Sequence, residues 1–223
     1  MEIPRARVVS TAVVFVSGTV LAVLGPLMGK FDNPVCHAAA LVFSSGWAWA
    51  CFAFLVGYSC RSKAASALLA SSALAVAVVV YYVFKYTFPT SPVGQVVSSG
   101  SGGELGSRII VWGVAAFGLG APVGLFGNIA RTPGISGLPF RLVIPLTVLV
   151  ETSARLQTEA ADQGLVVEIT WEVIRIAAVA AFAVLPLREV MAWRARRAAD
   201  REVGSRPWPP AQAQHPVSYD ADS

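Results

Sequence analysis

The sequence predicts an all-α membrane protein built as a bundle of six transmembrane helices. Two observations support this fold class. Of the 223 residues, 55% are hydrophobic and only 13% are charged, whereas a soluble domain has about 25% charged residues. In addition, six apolar stretches are each long enough to cross a hydrocarbon core about 30 Å thick. Because they occupy most of the chain, any chemistry must come from membrane-embedded side chains and short loops.

The six stretches follow one another with short connections. They cover about 8–28, 38–59, 64–88, 107–127, 138–157 and 168–187. The first is longer than the roughly 7–15 apolar residues of a secretion signal, so we expect it to be retained as a helix. Residues 1–187 are therefore predicted to form one transmembrane domain.

Two segments rich in Gly, Ser or Pro are predicted to be flexible. Residues 89–106 form an outer loop that includes the run Ser98–Gly103. Residues 188–223 are predicted to hold a basic juxtamembrane segment and then, from about residue 199, a disordered cytoplasmic tail, since this part has little apolar surface to bury.

Lys and Arg are unevenly divided between the two faces of the predicted bundle. Twelve of the 17 fall on one side, and the other five are Lys30, Lys85, Arg108, Arg155 and Arg175. Because cytoplasmic loops have an excess of Lys and Arg, the first side is predicted to be cytoplasmic, with both termini inside the cell. This topology accounts for the formal net charge of +4 without a nucleic-acid partner.

The Cys and His residues do not form a metal-binding pattern. Cys36, Cys51 and Cys60 are odd in number and lack the CxxC spacing, and the His residues are His37 and His215. A zinc or iron–sulfur site needs clusters of such ligands at characteristic spacings. We therefore expect no metal and no other cofactor.

Small residues recur at four-residue steps in the second and fourth stretches. Such positions let transmembrane helices approach closely. They are Gly46, Ala50, Ala53 and Gly57 in the second stretch, and Gly120 and Gly124 in the fourth.

Aromatic residues inside the stretches have two possible interpretations. One is an interfacial belt or ordinary packing; the other is the lining of a cavity that holds an apolar ligand. A belt explains Trp47 and Tyr81 poorly, because both fall toward the middle of their stretches. The candidate substrate-binding aromatic residues are Trp47, Tyr81, Tyr82, Trp112 and Trp171.

Ionisable residues in or beside the apolar stretches are candidates for function, because a charge in a bilayer is costly. They are Asp32, Lys85, Glu151, Glu168, Glu172 and Arg175. The spacing allows two ion pairs within a helix, Glu151 with Arg155 and Glu172 with Arg175. If these residues only pair with one another, their role is structural rather than functional.

The acids on the predicted outer side nevertheless outnumber their basic partners, so one carboxyl is expected to be unpaired. A desolvated carboxyl without a partner resists ionisation and can hold a proton for general-acid catalysis. The candidate catalytic residues are Glu151, Glu172 and Asp32, and Arg155 and Arg175 are candidates for orienting the acid or contacting substrate.

A longer pattern adds a resemblance to a family. It comprises Gly25–Gly29, Asn33, Trp47, Ala53–Gly57, Tyr81–Tyr82, Trp112, Gly120–Gly124 and Arg131. The pattern resembles a family of small actinobacterial integral membrane proteins. That family is similar in size and helix content to bacterial membrane-bound terpene cyclases that close the prenyl chain of indole sesquiterpenoids such as the drimentines. The resemblance covers most of residues 20–185.

This resemblance implies acid-initiated cyclisation of a prenylated, lipid-soluble substrate in the membrane. It places the acid role on Glu151 and on a Glu of the sixth stretch. Two other classes of function remain open from the residues. One is a small transporter or proton-coupled exporter with Glu151, Glu172 and Arg175 as a relay, and the other is a non-catalytic accessory membrane protein.

Overall fold

A computed structural model of the chain describes residues 5–88, 102–158 and 164–204, and all of the regular elements in these ranges are helices. The all-α prediction is confirmed for this part of the chain. A 3-10 turn at Ile135–Gly137 precedes the sixth helix. The α-helices are α1 (Arg5–Met28), α2 (Pro34–Phe43), α3 (Gly46–Ser59), α4 (Lys63–Thr87), α5 (Gly102–Ile129), α6 (Leu138–Thr158) and α7 (Leu165–Gly204).

Several helices of the described chain are long and apolar enough to cross a membrane, as expected of a multi-pass membrane protein. Four helical segments meet this test alone: Thr11–Met28, Lys63–Thr87, Leu105–Ile129 and Ile135–Thr158. A fifth span is obtained if α2 and α3, which are bent by 58° from one another, count as one broken span. The predicted number of six spans is not confirmed.

The second predicted stretch, 38–59, is broken rather than continuous. Asn33 caps α2 by accepting a hydrogen bond from the Val35 N–H (2.8 Å). The helix ends at Phe43, and the Ser45 hydroxyl donates to the Val42 carbonyl oxygen at 2.6 Å. Ser side chains that bond to the backbone in this way compete with helix continuation. The break therefore coincides with the Ser44–Ser45–Gly46 sequence.

Two predicted flexible segments are partly helical. Helix α5 begins at Gly102, so residues 102–106 belong to it, whereas 89–101 lie outside the described residues. Helix α7 continues from the sixth predicted stretch to Gly204. Its later part is rich in Ala and Arg, which are strong helix formers. The remainder of the predicted tail, 205–223, also lies outside the described residues.

The tightest packing joins α3, α4 and α5 around a cluster of Ala53, Val56, Ala70 and Leu74. A Cβ atom at Gly57 would overlap the carbonyl oxygen of Gly124, so α3 and α5 touch through their backbones. This confirms the predicted close approach at small residues.

Helices α6 and α7 run antiparallel along the length of the bundle. Arg155 of α6 stacks on Trp171 of α7, and Arg141 of α6 pairs with Glu189 of α7. We name the two ends of the bundle after their charged groups. The Glu151 end contains Glu151, Arg155 and the C-termini of α1 and α4, and the Arg131 end contains Cys60, Arg131, Arg141 and Glu189.

Candidate functional site

The carboxylate of Glu151 holds the N-terminus of α3. Its Oε1 accepts a hydrogen bond from the Gly46 N–H (3.0 Å), and its Oε2 accepts one from the Trp47 N–H (2.7 Å). These amides belong to the first turn of α3, where a helix has N–H groups without partners of its own. The local cap residue, Ser45, makes no side-chain hydrogen bond to them. Glu151 thus supplies the cap from a different helix.

Charge and helix geometry both favour this contact. The N-terminus of a helix has a partial positive charge, which attracts a carboxylate. A Cβ atom at Gly46 would lie 3.1 Å from Glu151 Oε2. Glycine at this position therefore leaves the carboxylate room to reach the backbone. Glu151 lies seven residues before the end of α6, about 10 Å along the helix axis.

Arg155 connects the capped helix to α7. Its Nε–H donates to Glu151 Oε1 at 3.0 Å, so the predicted Glu151–Arg155 pair forms. The guanidinium carbon also lies 5.0 Å from the ring centroid of Trp171, which is fully buried. The indole N–H groups of Trp171 and Trp47 are buried without a hydrogen-bond partner in the part of the chain that the structure describes. Buried donors without a partner are uncommon in folded proteins, so these two indole groups make the region around Glu151 and Arg155 unusual.

A cavity of about 290 Å³ opens at the same end. It lies between the C-terminus of α1, helix α2, the C-terminus of α4 and Arg155 of α6. Phe31, Tyr81 and Phe88 supply aromatic lining, and His37 and Lys85 supply polar lining. Lys85 was predicted to be a candidate for function because it is ionisable, although no role was assigned to it, whereas His37 was not among the predicted site residues.

The predicted aromatic residues do not all meet in this cavity. Tyr81 lines it and packs edge-to-face against Tyr82, with ring centroids 5.2 Å apart, and against Trp49 at 5.7 Å. Trp112 is 55% exposed on α5 and lines no part of the cavity. Trp47 is brought to the site through its backbone N–H to Glu151.

The other predicted acids are placed differently from Glu151. Glu172 accepts a hydrogen bond from Arg175 at 2.8 Å, and both side chains are 41% exposed. Asp32 follows α1 and is exposed, with no ion pair among the described residues. The described residues thus include one acid, Glu151, that is bound into the bundle interior by three donors.

The Arg131 end is held together by carbonyl oxygens rather than by a carboxylate cap. The Cys60 carbonyl oxygen, at the C-terminus of α3, accepts from Asn128 Nδ2 (2.6 Å) and Arg131 Nη1 (2.7 Å). Arg141 donates to the carbonyl oxygens of Ala130 and Thr132. Burial raises the pKa of the Cys60 thiol, and the charge of Arg131 acts in the opposite direction.

Comparison of the chain with protein-family models, with curated proteins and with solved structures finds no match. The resemblance to membrane-bound terpene cyclases therefore stays a prediction. Within the described residues, no three His, Cys, Asp or Glu side chains lie together where they could hold a metal ion. The site is interpreted below from its own geometry.

Sequence reasoning identified Glu151 and Arg155 but missed what they contact. The run Ser44–Ser45–Gly46 was a usable signal for a helix break, because Ser and Gly are poor helix formers. The basic lining was harder to find. His37 and Lys85 are 48 positions apart in the sequence and come to line one cavity only because α2 and α4 both pack against α1.

Proposed function

We propose that the protein is a membrane-embedded, acid-initiated terpene cyclase that acts on a prenylated apolar substrate. The observation that supports this proposal is the cavity at the Glu151 end, which is lined both by Tyr81 and by Arg155, the ion-pair partner of Glu151. Aromatic ring faces stabilise carbocations.

Glu151 is proposed as the proton donor once it has taken up a proton from the medium, with Arg155 orienting it. The N–H groups of Gly46 and Trp47 and the guanidinium of Arg155 would stabilise the carboxylate that remains after proton transfer to the substrate. Ser44 and Arg155 line the cavity, and Glu151, which is not itself among the described lining residues, bonds to Arg155 and to Gly46, two positions after Ser44. Glu172 and Asp32 remain the other candidate acids, and Arg175 orients Glu172 in this scheme.

The proposed topology has six spans, with both termini in the cytoplasm. Helix α7 contacts α6 near both ends of α6, which supports a sixth span formed by α7. Trp171 and Glu189 are 18 residues apart, which is about 27 Å along a helix, close to the thickness of the hydrocarbon core. The uneven distribution of Lys and Arg supports the orientation, which places the Glu151 end on the outside.

The test is turnover of a panel of prenylated indoles by membranes that contain the protein. Glu151→Gln keeps the shape but has no transferable proton, so activity per folded protein should fall by about 100-fold or more. Glu189→Gln is the matched control, because Glu189 is also paired with an Arg but lies at the Arg131 end. Size-exclusion profiles give the amount of folded protein.

A cyclised product from wild type and none from Glu151→Gln supports the proposal. Normal turnover by Glu151→Gln rejects Glu151 as the acid, and Glu172→Gln and Asp32→Asn then test the other two candidates. The absence of cyclised product across the panel with correctly folded wild-type protein contradicts the cyclase proposal for these substrates.

Transport is a second candidate, favoured by one observation. Helices α2 and α3 form a broken span, and discontinuous helices often form the substrate sites of secondary transporters. The N-terminus of α3 is occupied by Glu151, so protonation of this carboxylate would release the cap. The test is substrate uptake into proteoliposomes together with proton release. If the two are coupled and the coupling is lost in Glu151→Gln, transport is favoured over cyclisation.

A further inference from the structure

We propose that the cavity at the Glu151 end binds the phosphate group of an amphiphilic ligand whose apolar chain lies against the neighbouring aromatic residues. This inference deepens the proposed function, on which it rests for the identity of the cavity as the substrate site. It names a substrate class, a prenyl or acyl chain that ends in a phosphate.

The charge of the cavity lining is the first argument. Three basic side chains line it, namely His37, Lys85 and Arg155, and no Asp or Glu is among the described lining residues. Glu151 balances Arg155. Lys85 makes no ion pair among the described residues, and its ammonium lies 5.8 Å from the Tyr81 ring centroid. The lining therefore has a net positive charge.

Another lysine lies at the rim of the cavity. The Lys30 ammonium is 4.9 Å from the ring centroid of Phe88, which lines the cavity, and 5.6 Å from that of Phe84. Ring faces hold a cation in place while its N–H donors stay available. Lys30 and Lys85 therefore provide compact charges, which are suited to a phosphate oxygen.

The distribution of basic residues in the sequence gives an independent argument. Five of the 17 Lys and Arg residues lie on the face opposite the basic one, where the positive-inside rule predicts few. Three of these five, Lys30, Lys85 and Arg155, gather at this cavity. Since topology does not require positive charge here, a ligand of opposite charge accounts for it.

The volume and the apolar lining of the cavity favour an amphiphile over a small ion. Its volume of about 290 Å³ is lined also by Phe31, Leu41, Tyr81 and Phe88. Phe31 and Phe88 are exposed at the ends of the helices, where the head groups of a bilayer would begin. Basic pockets between transmembrane helices are known to bind phosphate-bearing head groups.

A calorimetric titration of the full chain in a phosphate-free maltoside detergent tests the inference. The probes are farnesyl phosphate, farnesol, dioleoyl phosphatidic acid and inorganic phosphate. We expect farnesyl phosphate to bind at least about tenfold more tightly than farnesol, since a lost charge contact of 1.4 kcal/mol is tenfold in Kd. Inorganic phosphate should bind much more weakly than farnesyl phosphate, because it lacks the chain.

Variants locate the site. Lys85→Gln should raise the Kd for farnesyl phosphate by about tenfold or more, and His37→Gln should raise it by less. Lys63→Gln is the matched control, because Lys63 is an exposed lysine at the opposite end of the same helix. It should leave the Kd unchanged. Thermal unfolding of each variant in the same detergent checks that it is folded.

Several results would overturn the inference: equal affinity for farnesol and farnesyl phosphate, equal affinity for inorganic phosphate and farnesyl phosphate, or a Lys85→Gln variant that binds as wild type does. The comparison of farnesol with farnesyl phosphate uses only the wild-type protein. It therefore still tests the inference if a variant does not fold. Tighter binding of phosphatidic acid than of farnesyl phosphate supports the inference and identifies a lipid head group as the source of the phosphate.

Turnover is measured in a separate assay from binding. The phosphate-binding proposal and the cyclase proposal can therefore be rejected independently of each other. Loss of phosphate binding leaves cyclisation of a neutral prenylated substrate possible. Phosphate binding without cyclisation rejects the proposed reaction alone.

Discussion

The two ends of helix α3 are both held by side chains from distant parts of the chain, but by opposite chemistry. At its N-terminus the Glu151 carboxylate accepts from two backbone N–H groups. At its C-terminus the Cys60 carbonyl oxygen accepts from Asn128 and Arg131. The negative group is at the positive end of the helix dipole and the positive group is at the negative end.

The surroundings of the two ends differ as well. Glu151 and Arg155 are 21% and 28% exposed, and Glu151 lies about 10 Å inside the end of α6, whereas Arg131 is exposed in the connection between α5 and α6. Water can replace a lost hydrogen bond at the Arg131 end but not within an apolar bundle. The N-terminal contact should therefore matter more to stability than the C-terminal one.

The largest expected effect comes from the glycines near the two ends. Gly57→Ala would place a methyl group on the Gly124 backbone, which cannot move without separating α3 from α5. We expect a loss of about 3 kcal/mol or more, seen as little folded protein in size-exclusion profiles. Gly46→Ala is the matched variant. Its methyl group would meet only the end of the Glu151 side chain, so a smaller loss is expected.

The next effect is the removal of the carboxylate cap. Glu151→Ala leaves two helix N–H groups and Arg155 without their acceptor, which should lower the free energy of unfolding by about 2–4 kcal/mol. Thermal unfolding in detergent measures this. Glu172→Ala, which breaks a half-exposed pair, is the control and should cost less than about 1 kcal/mol. Equal losses for both variants would contradict the capping role.

The C-terminal contact gives a smaller effect. Asn128→Ala removes one of two donors to the Cys60 carbonyl oxygen, and Arg131 still donates to it. We expect a loss of about 1 kcal/mol in the same unfolding assay. A loss as large as that of Glu151→Ala would mean that the two ends of α3 are equally sheltered from water.

The smallest expected effect is a change in the reactivity of the Cys60 thiol. Because burial raises the pKa of the Cys60 thiol above 9.0, its alkylation should be slow near neutral pH and should accelerate as the pH rises above that value. Arg131→Gln removes the opposing charge, so the midpoint of the rate profile should move to still higher pH. Arg61→Gln is the neighbouring control. The measurement needs a background in which Cys36 and Cys51 are Ser, and an unmoved midpoint would contradict the assigned cause.

Composition and apolar length were enough to predict the helical class, because both are properties of local sequence. The broken span was missed, since Ser44 and Ser45 end a helix only when a distant group satisfies the freed N–H groups. Spacing within a helix predicted the Glu151–Arg155 and Glu172–Arg175 pairs, and both form. The contact of Glu151 with Gly46 and the placement of His37 and Lys85 around one cavity depend on tertiary packing, which no local pattern encodes.

The capped break also bears on how the chain enters the membrane during synthesis. Glu151 is 105 positions after Gly46, so α3 leaves the ribosome well before the carboxylate that completes its first turn. Until α6 arrives, the amide groups of Gly46 and Trp47 face a bilayer that offers no acceptor. We expect the α2–α3 pair to stay in the protein-lined channel of the insertion machinery, or at the membrane surface, until α6 is made. Nascent chains truncated before residue 151 should therefore remain accessible to protease in this region.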